Sequence, residues 1–136
     1  KQRIDRDKAF DDLLSVRQSV AQSHTDAGRI HARHGNVRIA ERLWQRAATL
    51  QAKGTLCRIE LAALYERNGQ DAEALEICQQ LSKIDPENGD YWLNVGLLSA
   101  RLNRFDAALS SLERAIQLDP RNPRYRQAYE VIRKGR

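Results

Sequence analysis

Apolar residues recur every three or four positions along the chain, in runs that short polar turns separate. This spacing is that of amphipathic helices. In residues 55–88 one run precedes Gly69 and a second follows it. The first contains Leu61, Leu64 and Tyr65, and the second Ala74, Ile77, Cys78 and Leu81. Because a glycine readily takes the positive φ that ends a helix, the pattern predicts a helix, a tight turn at Gly69 and a second helix.

This helix–turn–helix pattern repeats with a period of 34 residues, which divides the chain into units 21–54, 55–88 and 89–122. Small residues coincide in every unit, where they would let two helices approach closely. They are Gly28, Ala62 and Gly96 on first helices, and Ala40, Ala74 and Ala108 on second helices. Units of this kind bury their apolar faces by stacking on one another. The sequence therefore predicts a single domain built as a helical solenoid.

The flanking segments fit the same plan. Residues 1–20 carry an apolar stripe in phase with the second half of a repeat, and residues 123–136 form a terminal capping helix. Pro86 and Pro120 end the second helices of the later units, because proline cannot continue a helix. Ala52 replaces that proline in the first unit, so its second helix is expected to run slightly longer, as far as Gly54.

The repeat resembles the tetratricopeptide repeat (TPR) family. The third unit carries the resemblance best, with Trp92, Val95-Gly96, Ala108, Leu112, Ala115 and Pro120 in the order and spacing of the family signature. The resemblance implies an all-α fold, a right-handed α-solenoid of antiparallel helix pairs with about eight helices. It also implies a protein–protein interaction scaffold and not an enzyme, with no cofactor.

Composition and motifs agree with this interpretation. The net charge is +5, with basic ends and an acidic middle, and the longest apolar run has five residues against the roughly 18 of a membrane helix. No glycine-rich phosphate loop or strong metal-binding spacing occurs, and the pair His31 and His34 is better explained by packing. Cys57 and Cys78 are expected to be buried free thiols.

The TPR resemblance implies that first helices line a concave groove for a peptide. Position by position, the groove residues would be Arg29, Arg33, Leu56, Ile59, Ala63, Arg67, Leu93, Leu97, Arg101 and Arg124. The leucine and isoleucine residues would form an apolar floor, and the arginines recurring every 34 residues would pair with carboxylates. The predicted partner is an acidic peptide with apolar anchors. The alternative is that the arginines are solvated or brace neighbouring repeats through Glu66.

TPR domains that hold the C-terminal tails of chaperones use a carboxylate clamp of lysine, asparagine and arginine. The corresponding residues here are Thr25, Arg29, Glu60, Asp90 and Asn94. The clamp is therefore absent from this chain.

Two other functions stay open. The chain could be a regulatory or targeting module of a larger enzyme. It could also bind nucleic acid or another anionic surface through the basic first repeat, where Arg38, Arg42 and Arg46 form a stripe.

The N-terminal helix leads to a further expectation. Phe10, Leu13, Leu14, Val16 and Val20 are more apolar positions than one narrow stripe requires. With half a repeat missing, part of that surface should be exposed, and a homodimer through this helix is predicted. The absence of any methionine suggests that the chain is excised from a longer protein.

Overall fold

The computed structural model describes the backbone of residues 2–135 and the side chains of residues 5–135. Every regular element in residues 2–135 is α-helical, and no strand occurs among them. The seven helices are α1 (Gln2–Arg33), α2 (Val37–Leu50), α3 (Leu56–Arg67), α4 (Asp71–Ile84), α5 (Gly89–Arg101), α6 (Phe105–Leu118) and α7 (Pro123–Gly135). The all-helical prediction is confirmed, whereas the predicted count of about eight helices is wrong by one.

The missing eighth helix is explained by α1, which runs without a break for 32 residues. Residues 17–20 occupy the repeat phase in which Asp85-Pro86-Glu87-Asn88 turns the chain between α4 and α5. They read Arg-Gln-Ser-Val, with neither proline nor glycine. Since nothing in these four residues stops a helix, the N-terminal segment and the first helix of repeat 1 are continuous.

The turns inside the repeats follow one local design. Gly35, Gly69 and Asn103 have φ angles of 80°, 73° and 61°. The next residue in each turn donates its backbone N–H to a carbonyl five residues earlier, at 2.8 Å in all three cases. This is a Schellman motif, and it satisfies carbonyl groups that the end of a helix leaves unpaired. The positive φ predicted at Gly69 is confirmed.

The turn after α2 is built differently from the turns that contain proline. α2 ends at Leu50 and has the same 14 residues as α4, so the longer helix expected from Ala52 is wrong. The Arg58 side chain is buried and donates to the carbonyl oxygens of Gln51 at 3.1 Å and Gly54 at 2.6 Å. These bonds fix the end of α2 in the place of a proline.

The chain consists of two compact units, Lys1–Glu60 and Leu61–Arg136. In the first, α2 packs against α1, and the Trp44 ring lies fully buried beside Gly28. In the second, α5 packs against α4, α6 and α7. Its core consists of Leu93, Ala108, Leu109, Leu112, Ala115, Tyr125 and Ile132. These cores hold the first helices of the repeats, on which the predicted groove residues lie.

Candidate functional site

An apolar cleft lies between α5 and α7 in the second unit, with a volume of about 350 Å³. Three predicted groove residues line it together, namely Leu93, Leu97 and Arg124. Leu93 is buried and belongs to the core, whereas Leu97 is 36% exposed at the surface. The remaining lining residues are Gln127, Ala128, Val131 and Ile132 of α7.

Two arginines lie at opposite ends of this cleft. α5 and α7 run in the same direction, since α6 returns the chain between them. Arg124 is in the first turn of α7, and Arg101 is in the last turn of α5. Arg124 is exposed, and the Arg101 side chain is 53% exposed with its guanidinium 3.6 Å from the Asp71 carboxylate. An apolar floor with a cation near each end can hold an aliphatic side chain and a carboxylate at once.

The other predicted groove residues of the second unit, Ala63 and Arg67, are both exposed on α3. The aligned arginines thus differ in their environment, because Arg101 has a carboxylate partner in Asp71. The partner is not the Glu66 considered from the sequence. Asp71 begins α4, and the chain separation of 30 residues gives no hint of this pairing.

In the first unit the predicted groove residues lie on α1 and on the start of α3. Arg29 donates from Nε to Glu60 Oε1 at 3.0 Å, which ties the two helices together. Arg33 is exposed, Leu56 is half-buried and Ile59 is 40% exposed. Arg29 therefore has a structural partner, whereas Arg33 and Ile59 present free surface to solvent.

The carboxylate-clamp positions are occupied by residues committed to other contacts. Thr25 is buried and donates its hydroxyl to the Ala21 carbonyl at 2.9 Å. Asp90 accepts a hydrogen bond from the Tyr125 hydroxyl at 2.8 Å. With Arg29 bound to Glu60, these positions present no cluster of cations and amides for a terminal carboxylate.

Sequence reasoning missed the residues that close the cleft and the turns. Ala128 and Ile132 complete the wall on α7, at a spacing of four from Arg124 that marks one helix face. Arg58 was also missed. Its repeat equivalents are informative, because Trp92 Nε1 donates to the Pro86 carbonyl at 2.8 Å and Arg126 Nε to the Pro120 carbonyl at 2.9 Å. A donor recurring at this phase was the available signal.

The basic stripe of α2 is exposed at Arg38, Arg42 and Arg46. The two cysteines are buried free thiols, as expected. Burial raises the pKa of Cys78 to about 12 and also raises the pKa of Cys57, so both thiols stay protonated near neutral pH. The described side chains contain no group of three or more His, Cys, Asp or Glu placed to hold a metal ion. Among residues 2–135, none of the helices combines the length and apolar character of a membrane span.

Two family models, each described as tetratricopeptide repeat, match residues 61–133 and 25–88. The first alone covers more than half of the chain. The chain belongs to the tetratricopeptide repeat family.

Individual relatives agree with the family. Anaphase-promoting complex subunit 3 of Dictyostelium discoideum is 31% identical over 80 residues, which are 59% of this chain and 8% of the relative. The TPR chain thus spans less than a tenth of that protein's length.

Two solved TPR structures share its fold. The first TPR of Spaghetti (RPAP3), bound to the HSP90 peptide SRMEEVD, has a TM-score of 0.73 at 16% identity and covers 87% of this chain and 94% of its own. The second TPR domain of human RPAP3, in complex with the HSP70 peptide SGPTIEEVD, has a TM-score of 0.73 at 20% identity and covers 86% and 98%. Neither description refers to a pair of identical TPR chains, so the homodimer stays a prediction.

Proposed function

We propose that this TPR chain is a protein-interaction module that binds an acidic peptide segment with apolar anchors. The observation that carries the proposal is the cleft between α5 and α7, where Leu93, Leu97 and Val131 provide an apolar floor and Arg124 a cation. An aliphatic side chain of the peptide would enter the cleft, and a neighbouring carboxylate would pair with the exposed Arg124 guanidinium. The exposed Arg33, Arg67 and Arg101 would attract the same acidic segment electrostatically.

The peptides held by the two similar structures support this chemistry. SRMEEVD and SGPTIEEVD each place two glutamates and an aspartate beside aliphatic residues. The proposal differs from those complexes in one respect. Since the clamp positions are otherwise engaged, the segment is recognised through internal carboxylates and not through a free C-terminus.

Selection from a library of random peptides displayed on phage tests the proposal. The peptides that bind the wild-type chain should be enriched in Asp and Glu together with Leu, Ile or Val. A selected peptide should bind at least about tenfold more weakly to Leu97→Asp and to Arg124→Glu. Arg114→Glu on α6 is the matched control, because it makes the same charge change at an exposed site away from the cleft.

Two further comparisons distinguish the modes of binding. A C-terminal amide on the selected peptide should leave its affinity unchanged, and affinity should fall as salt rises. Enrichment of basic peptides, or equal binding by wild type and both cleft variants, would contradict the proposal.

The basic stripe on α2 supports a second candidate, binding of nucleic acid. The triple variant Arg38→Glu, Arg42→Glu, Arg46→Glu should abolish binding of a labelled single-stranded oligonucleotide if this stripe carries it. The peptide proposal expects no change in peptide affinity for the same variant.

A further inference from the structure

α1 exposes a continuous apolar stripe along most of its length. Ala9, Leu13, Val16, Val20, Ser23, Ala27 and Ile30 follow one another at steps of three and four residues. The large side chains among them are 39–65% exposed. The residues of α1 that face inward in this unit, Ala21, Thr25 and Gly28, are buried and lie roughly half a turn around the helix. Within its unit the stripe thus faces away from α2.

The 34-residue period shows what normally covers such a stripe. Ala27 and Ile30 occupy the phase of Val95 and Leu98 in α5, which are only 5% and 1% exposed. α5 packs against α4, the second helix of the preceding repeat. On α1 the same positions are half-buried and 54% exposed. The stripe is therefore a face built to receive a second helix of the kind that α4 represents.

The segment in the phase of α4 is present in the same chain but lies elsewhere. Phe10 and Leu14 are in phase with Cys78 and Ser82 of α4, which are 2% and 4% exposed. Phe10 and Leu14 themselves are 66% and 45% exposed. Because α1 does not turn at residues 17–20, this segment continues away from the face that it would otherwise cover. Both halves of one interface are thus left without a partner on one helix.

Charge identifies the orientation in which two copies would fit. Residues 5–16 contain four acidic and two basic side chains, whereas residues 22–33 contain one acid, two arginines and two histidines. Arg29 is already paired with Glu60, which leaves Arg33 exposed as the free arginine charge of that half. An antiparallel pair of α1 helices places the acidic half of each copy beside the basic half of the other. A parallel pair places like halves together.

We propose that α1 pairs with α1 of a second copy of this chain in an antiparallel, domain-swapped contact. Residues 5–16 of each copy cover the face around Ala27 and Ile30 of the other, as α4 covers α5 within one chain. Exchange of identical elements between protomers is a low-cost route to a dimer, since the interface is one that the fold already uses. This contact is independent of the peptide cleft between α5 and α7.

The mass of the 136-residue chain is the first measurement. Sedimentation equilibrium from about 5 to about 500 µM should show a monomer that converts to a dimer. Ile30→Glu and Leu13→Glu should each weaken the dimer at least about tenfold. Ile39→Glu is the matched control, because Ile39 is 45% exposed on α2 and lies outside the stripe. A wild-type chain that stays monomeric throughout, or an equal effect of the control, overturns the proposal.

Disulfide formation between copies tests the orientation. Val20 lies near the two-fold axis of an antiparallel pair, so Val20→Cys should link to its own equivalent. Leu13→Cys should not, since seven residues on each side of the axis separate the two sulfurs by about 20 Å along the helices. A parallel pair would link both variants, and that result overturns the antiparallel arrangement.

A redesigned turn tests the exchange itself. The variant Arg17→Asp, Gln18→Pro, Ser19→Glu, Val20→Asn introduces the sequence that turns the chain between α4 and α5. Its N-terminal segment should fold back on its own chain and give a monomer at all concentrations, with helical circular dichroism retained. A folded variant that remains dimeric overturns the exchange. Should the variant not fold, the masses and disulfides above decide the proposal on their own.

Discussion

The helix pairs α1–α2 and α5–α6 both cross at a glycine, yet the side chains that meet these glycines differ. A methyl group on Gly28 would overlap the Trp44 indole, whose Nε1 donates to the Thr25 carbonyl at 3.1 Å. A methyl group on Gly96 would lie 2.8 Å from Leu112 Cγ. The indole ring is rigid and held by a hydrogen bond, whereas the leucine can change rotamer. The same repeat position is therefore more tightly constrained in the first unit than in the second.

Gly28→Ala is expected to cause the largest loss of stability, because the added methyl group forces the buried Trp44 ring from its site. We expect it to lower the free energy of unfolding by about 3 kcal/mol. Urea denaturation followed by circular dichroism measures the loss.

Gly96→Ala is the matched change in the second unit, with an expected loss of about 1–2 kcal/mol. A Gly96→Ala variant that loses as much as Gly28→Ala would show that the rigidity of Trp44 does not set the difference.

The turns of the two units differ in the same sense. Arg58 joins two carbonyls of the turn after α2, whereas Trp92 donates a single bond to the Pro86 carbonyl. Arg58→Ala leaves buried carbonyl groups unpaired, and the expected loss is about 2 kcal/mol. Trp92→Phe removes one exposed bond and should cost about 1 kcal/mol or less. Thermal unfolding of both variants measures the difference, and equal losses would contradict the special role of Arg58.

Alkaline pH should separate the units, because all four tyrosines lie after residue 60. Burial, together with the hydrogen bond to Asp90, raises the pKa of Tyr125 from 10.0 to about 12. The folded chain thus favours the neutral phenol. Its contribution to stability is complete below pH 10 and is lost as the pH rises through about 12.

Tyr125→Phe should lower stability at pH 8, since the Asp90 bond is lost, and should flatten the decline above pH 10. The urea midpoint measured at several pH values gives both effects. An unchanged slope in Tyr125→Phe would assign the decline to other groups, such as Cys78.

The sequence predicted which faces of the helices are apolar, because that pattern follows the helical period directly. The turn at Gly69 followed for the same local reason. The unbroken α1 was missed, since the apolar pattern of residues 5–16 describes a helix face without stating where the helix stops. The pairings of Arg101 with Asp71 and of Arg29 with Glu60 were missed because long side chains can reach several carboxylates that only the packed helices bring near.

Asn103 gives the smallest expected effect and the finest comparison among the turns. Gly35, Gly69 and Asn103 occupy the same place in three Schellman turns, but only Asn103 has a side chain there, at a φ of 61°. Left-handed backbone strains a residue with a Cβ, and glycine avoids this strain while losing more entropy on folding. Asn103→Gly should therefore raise the free energy of unfolding by about 0.5 kcal/mol, and Gly69→Asn should lower it by a similar amount. Differential scanning calorimetry of the two variants measures these opposite shifts. If Asn103→Gly instead lowers the melting temperature, the asparagine side chain stabilises its turn by more than the strain costs.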